Sequence, residues 1–281
     1  MNWFEKFFYA IDKWQMTEPH AWGWFHLLTL GIMIALIVLV CLVGKQTEKK
    51  LRIILLTYAI TATVLEIVKQ IIFSMHYNDD GTLYWRYQWY AAPFQLCTTP
   101  IIAAFIIVFV KNEKIRSAMA AYMAFITILG SLSVILLPDD CLIESVEVNI
   151  HTTFLHYGSF VISMYFLITG IVKIKLKNLL NALLVFLCFA CFAYILNEFF
   201  YHTHILPDGQ TFNMFYISPH FDCALPVLVD IQKKVPHLVF LLAYGVAVVL
   251  GSMIIYGISL LVEIISHKLS KKENSNEQIT A

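Results

Sequence analysis

Seven stretches of this chain stay apolar for long enough to cross about 30 Å of hydrocarbon at ~1.5 Å per helical residue. They lie near Leu27–Val43, Ile53–Phe73, Ala91–Val110, Ile115–Leu137, Thr152–Val172, Leu179–Phe200 and His237–Ile264. The pattern predicts an all-α polytopic membrane protein with about seven transmembrane helices. The connections between the runs alternate in charge. One set, together with the C-terminal tail, holds Lys45, Lys49, Lys50, Arg52, Lys111, Lys114, Arg116, Lys173, Lys175, Lys177, Lys268, Lys271 and Lys272. The other set holds Lys6, Lys13, Arg86, Lys233 and Lys234. Lys and Arg accumulate in cytoplasmic loops, so the N-terminus is expected outside and the C-terminus in the cytoplasm. The acidic connection Pro138–Asn149, with Asp139, Asp140, Glu144 and Glu147, then falls outside.

Three regions follow from this reading: an interfacial segment at 1–20, a transmembrane domain at 21–266 and a polar cytoplasmic tail at 267–281. In the first, Trp3, Phe4, Phe7, Phe8, Ile11 and Trp14 can share one side of a helix, with Glu5, Asp12 and Lys13 largely away from it. No cleavable leader is expected, because aromatic and mixed-charge residues precede the first apolar run where a basic region would stand. The tail is expected to be unstructured. No internal repeat or second domain is evident.

Composition agrees with the pattern. Of 281 residues, 59% are hydrophobic and 14% charged, against roughly 25% charged in soluble domains. Mean hydropathy is +0.73. One soluble core could not hide so much apolar surface. The net charge is zero, which gives no footprint for nucleic acid. These features place the chain in the cell membrane as a multi-pass protein.

The polar residues inside the runs gather at one depth. Glu66, Lys69 and Gln70 lie toward the outer end of the second run. Gln95, Cys97, Thr98 and Thr99 lie in the outer part of the third. His151 and His156 enter the fifth from outside, and Asn197 and Glu198 lie near the outer end of the sixth. His26 opens the first run and His237 the last. Spacing puts Glu66, Lys69 and Gln70 on one helical face, and likewise His156, Ser159 and Ser163, and Tyr194, Asn197, Glu198 and Tyr201. Lipid penalises such stripes, so each is expected to face inward, into a shared polar cavity. The plainer alternative is interhelical glue: an ion pair at Glu66 and Lys69, hydrogen bonds at Asn197, and a structural histidine at His156.

A Cys with a His is the minimal arrangement for nucleophilic catalysis. His156 is a base candidate for the Cys97 thiol, with Glu66, Glu198 or Asn197 orienting its second nitrogen. Asn197 or a backbone N–H would hold the oxyanion. On an ideal helix Cys97 projects about 100° from Thr98. Pro93 and Pro100 bracket the segment, however, and an irregular backbone is expected there. Thr98 or Thr99 is the alternative nucleophile. No metal site and no cofactor are expected. The runs hold no His-Glu-x-x-His motif and no i, i+4 pair of histidines. His151 and His156 diverge by about 140°, and His202 and His204 read as loop. Cys141 and Cys223, both outside, are the two cysteines that could pair.

At Ala92–Thr98 (A-P-F-Q-L-C-T) and Thr152–Ser159 (T-T-F-L-H-Y-G-S) the chain resembles the YwaF family of integral membrane proteins. That family has a Leu-Pro-x-x-Leu-Cys motif and, two spans later, a His-Gly motif. Trp24–Leu30 and Asn213–Pro219 agree with it as well, so the likeness spans nearly the whole chain. Ala92 replaces the usual Leu, and Tyr157 intervenes between His156 and Gly158. The YwaF family is itself similar to an animal Cys/His acyltransferase acting on ether phospholipids, and more distantly to the androgen-induced membrane hydrolases. The resemblance implies Cys97 and His156 as catalytic residues. Glu66, Lys69, Gln70, Gln95, Thr98, Asn197, Glu198 and His26 are the expected supporting polar groups. The expected function is acyl transfer or ester hydrolysis on membrane lipid. The competing classes are a small-solute transporter or receptor using the same cavity, and a non-catalytic scaffold.

Overall fold

The protein is described by a computed structural model covering residues 1–17, 19–42, 47–139 and 141–280, with residues 270–280 as backbone alone. Val43, Lys45 and Asp140, and the side chains of Lys271 and Lys272, all used in the reading above, lie outside the described residues.

The chain folds as α1 (Trp3–Asp12), α2 (Trp24–Leu42), α3 (Glu48–Ser74), β1 (Met75–Tyr77), β2 (Leu83–Trp85), α4 (Thr99–Phe109), α5 (Glu113–Tyr122), α6 (Ile128–Leu136), α7 (Val146–Ile168), α8 (Leu176–His202), α9 (Leu228–Gln232) and α10 (His237–Thr280). A π-helical turn, Met123–Thr127, joins α5 to α6 in one continuous rod. Among the described residues, five helical segments are long and apolar enough to cross a membrane: α2, α3, the α5–α6 rod, α8 and His237–Leu269 of α10. α7 is long enough at 23 residues but carries Glu147, Asn149, His151 and His156. α4 has 11 residues, about half the thickness of the hydrocarbon layer.

α4 sits at the centre of the bundle, with Ala103 and Ala104 fully buried. Facing it, α5 and the π turn offer Ala120, Ala121 and Ala124, and these small side chains let the backbones approach closely. The last carbonyls of α4 are capped from the Lys/Arg-rich end of the molecule. Arg52 Nη2 donates to Val108 O at 2.8 Å and Arg116 Nε to Ile107 O at 2.8 Å. Arg116 also pairs with Glu48 and Glu113. Cations at a helix C-terminus satisfy both the orphan carbonyls and the dipole. By contrast α2 is lipid-like around most of its circumference, with Ile32, Leu39 and Leu42 exposed.

The interfacial helix is present as α1, capped by Asn2 and Glu5 in a reciprocal pair of hydrogen bonds. It docks through Phe8 onto Ile72 and Met75, while Trp3, Phe7 and Trp14 stay exposed.

Two expectations need correction. The third apolar run is not one helix. Its first part is a 3₁₀ turn (Trp89–Ala91) and irregular chain, and the helix begins only at Thr99. Pro93 and Pro100 explain this: proline fits a first helical turn, where no N–H is required, and disfavours helix for the residue before it. The polar tail, expected to be unstructured, continues α10 to Thr280. Its Lys, Glu and Gln are good helix formers extending a helix already nucleated by the apolar span. The β1–β2 hairpin, closed by Asn78 and Thr82 around Gly81 at φ +78, was not anticipated. No disulfide joins Cys141 to Cys223.

Candidate functional site

Glu66 is the hub. It lies one turn below Gln70 on α3 and is 6% exposed. Its Oε1 accepts from Lys69 Nζ at 2.6 Å and Gln70 Nε2 at 2.7 Å. Its Oε2 accepts from His151 Nε2 of α7 at 2.7 Å. Lys69 and Gln70 also reach Ala91 O, at 3.3 and 2.5 Å, tying α3 to the irregular strand that leads to Cys97. The expected face of α3 is therefore real, and the i, i+3, i+4 spacing that suggested it also closes it into a network.

The carboxylate orients His151, not His156. A carboxylate only accepts, so His151 Nε2 carries a proton. Its Nδ1 is buried and has no hydrogen-bond partner. His156 Nδ1 faces Thr152 O at 2.9 Å, which likewise places its proton on Nδ1 and its lone pair on Nε2. His156 is partly exposed.

Cys97 lies in a turn just before the N-terminus of α4. The residue is half-buried, and its sulfur lies within electrostatic range of Lys69, Glu66 and the hydroxyls of Tyr58, Tyr122 and Tyr216. The alternative nucleophiles are engaged: Thr98 Oγ1 donates to Gln95 O at 2.9 Å, and Thr99 Oγ1 meets Leu96 O at 2.7 Å and Tyr122 Oη at 2.5 Å. No hydrogen bond among the described residues joins Cys97 to His156. Tyr58 of α3 bonds α7 close to His156 in sequence: its hydroxyl reaches Leu155 O at 3.4 Å and Ser159 Oγ at 2.7 Å.

Gly158 is where Tyr58 crosses α7. A Cβ there would stand 2.9 Å from Tyr58 Cε2 and 3.0 Å from Cδ2. Gly158→Ala is expected to cost about 1–3 kcal/mol through overpacking and to break the Tyr58–Ser159 bond. A lower thermal midpoint in detergent checks it; an unchanged midpoint removes the packing argument.

Gln95 and Asn197 act on backbone. Asn197 is fully buried and exchanges two bonds with Met214, Nδ2 to O at 3.0 Å and N to Oδ1 at 2.7 Å. Gln95 does the same across Asn213 O (3.0 Å) and Phe215 N (2.9 Å). Together they hold Phe215 and Tyr216 in left-handed conformation, φ 59 and 57, a strain of about 1–3 kcal/mol per residue. Asn197 is thus occupied and unavailable to an oxyanion. Asn197→Ala should leave the buried Met214 N–H unpaired, at about 1–3 kcal/mol, and Met214 O with only the long bond from Ile217 N at 3.5 Å. Limited proteolysis within 204–227 should accelerate. Wild-type cleavage rates there would contradict the clamp.

His26 is also a structural tie. It is 1% exposed, accepts from Trp22 N–H at 3.0 Å and bonds Ile135 O of α6 at 3.1 Å through its second nitrogen. Glu198 joins a separate group at the end of α8 with His202 and His220. His202, read from sequence as loop, is the last residue of α8. His220 escaped notice because only the folded loop brings it back to that helix. In the same loop, burial pushes the Cys223 thiol up, away from reactivity.

A cavity of about 490 Å³ opens between α3 and the segment after the hairpin. Glu66, Gln70 and Ser74 form one wall, and Pro93, Thr98 and Ile101 another. Ile67 and Trp85, also in its lining, are half exposed, so it opens to the outside of the bundle. Thr98 is its lining residue next to Cys97, whose own side chain is not in the lining.

Residues 17–256 match the TMEM164 family, a membrane protein family. The chain belongs to that family. No curated protein and no solved structure matches it. The matched region of this TMEM164-family chain contains every residue of the Glu66 network, the Cys97 turn, His156 and the clamped 213–216 segment.

Proposed function

We propose that this TMEM164-family protein is an intramembrane acyl-transfer enzyme or esterase in which Cys97 is the nucleophile and His156 the base. The observation that carries the reading is the Cys97 turn: a thiol just before the N-terminus of α4, in electrostatic range of the Glu66–Lys69 pair that holds α7 through His151, with His156 on that same α7 held by Thr152 O at Nδ1. In the reaction the thiolate attacks an ester carbonyl of a membrane lipid. The C–O bond breaks, the lyso-lipid hydroxyl leaves with the proton taken by the imidazole, and the acyl group stays on sulfur as a thioester. A second lipid hydroxyl, or water, then takes the acyl group and restores the thiol. The Thr99 N–H, at the first turn of α4 and without an acceptor among the described residues, suits the developing oxyanion. Lys69, bound to Glu66, adds positive charge near the sulfur.

The cavity supports lipid as the substrate, since its volume falls in the usual range for small-molecule sites and its half-exposed lining residues are apolar. The motif likeness to the YwaF family, and through it to a Cys/His acyltransferase of ether phospholipids, points the same way. In this reading α4 with the irregular segment before it, and α7, complete seven passes through the cell membrane, with the N-terminus outside and the site in the outer half. Acyl-CoA is cytoplasmic, so the donor is another lipid.

The test uses purified protein in vesicles of phospholipid bearing a tagged acyl chain, with a lyso ether phospholipid as acceptor. The expected result is the tag in the acceptor or in free fatty acid. Folded protein that moves no acyl chain overturns the reading. His156→Ala and His151→Ala, compared in the same assay, identify the base: the proposal requires the larger loss at His156.

A further inference from the structure

We propose that Glu198, His202 and His220 form a site for a divalent transition metal of the zinc class at the end of α8. The three residues each offer one ligand atom, and these atoms all lie within 4.8 Å of one another. Glu198 and His202 are i, i+4 on the last turn of α8, so they project from one face. The loop after Tyr216 brings His220 over that face.

The separations have the right size. Glu198 Oε2 is 3.3 Å from His202 Nε2 and 3.4 Å from His220 Nε2. A tetrahedral ion with bonds of about 2.0–2.1 Å has ligand-to-ligand edges of about 3.3 Å. His220 Nε2 hydrogen-bonds Glu198 Oε2 at 3.4 Å, which leaves the second carboxylate oxygen, Oε1, buried and without a hydrogen-bond partner. A cation held by the group would satisfy that orphaned oxygen.

The ring of His220 is fixed in advance. It lies parallel to Tyr201 with centroids 3.4 Å apart and an interplanar angle of 2°, and stands nearly perpendicular to His202. The His202 side chain is 67% exposed, which leaves an open side for water as the fourth ligand. Two imidazoles and one carboxylate favour zinc over calcium or magnesium, which prefer oxygen throughout. The ion would fasten the 217–227 loop to α8, one turn from Asn197, which already grips the start of that loop. This assignment does not depend on the acyl-transfer reading.

The experiment uses full-length protein purified without a polyhistidine tag, stripped with chelator and titrated with Zn²⁺ and with Co²⁺. One equivalent should bind, Co²⁺ should give the visible bands of four-coordinate cobalt, and Mg²⁺ should not compete. His202→Ala removes an exposed side chain with little packing, so it should fold normally and weaken binding at least about tenfold. Glu198→Gln and His220→Ala should do the same, and His267→Ala should change nothing. Protein that binds no Zn²⁺, or binds it equally after His202→Ala and Glu198→Gln, overturns the site.

Discussion

Cys97→Ala should abolish acyl transfer, with a loss of at least about 10³-fold, the order seen when a covalent nucleophile is removed. Nothing else in the turn can replace it, because the hydroxyls of Thr98 and Thr99 already donate to the carbonyls of Gln95 and Leu96. His156→Ala should cost about 10²–10⁴-fold, the range for a general base. Packing should survive both changes, since each residue is partly exposed and neither anchors another element by a hydrogen bond. A further readout separates covalent catalysis from mere proximity. Wild-type protein incubated with tagged lipid should carry the tag through a linkage that neutral hydroxylamine cleaves, and Cys97→Ser should carry it through one that resists. Full turnover in Cys97→Ala, or a tag bound elsewhere on the chain, would remove Cys97 from the mechanism while leaving the membrane fold as described.

The largest loss of stability should follow Glu66→Ala. Glu66 is the sole anionic partner of Lys69 among the described residues, and the two side chains are 7% and 12% exposed. It also holds Gln70 and His151. Removing one member of a buried ion pair costs about 3–5 kcal/mol, because the other charge stays desolvated and unpaired. The surrounding contacts belong to α3, α7 and the Ala91 carbonyl, so the loss should spread across three parts of the bundle. A double replacement, Glu66→Leu with Lys69→Met, is expected to recover most of the stability, since neither charge then remains to be buried. Unfolding followed in detergent micelles distinguishes the cases. If Glu66→Ala melts like wild type, or the double variant is no better than the single, the network is incidental to stability.

The two predictions bear on different roles of one neighbourhood. The Glu66 group was weighed from sequence as either a helix lock or part of a cavity, and it acts as both: it joins α3 to α7 and lines the cleft. Asn197 and Gln95, by contrast, are fastened to backbone. His26 is tied to α6. An amide or imidazole at the right depth looks the same in a sequence whether it faces a substrate or a neighbouring carbonyl.

The sequence by itself determined that this is a membrane protein of long apolar helices with an amphipathic N-terminal helix, because the bilayer demands unbroken hydrophobic length and internal backbone bonding. It also determined the irregular entry to α4, because Pro93 and Pro100 act through their own local backbone. Only the tertiary structure decided that Glu66 takes His151 as its partner, that Tyr58 bonds Ser159 of α7, and that His220 returns to the end of α8. Each of those pairings joins residues far apart in the chain. Their meeting depends on how helices rotate and how a loop closes, and local spacing carries no information about either.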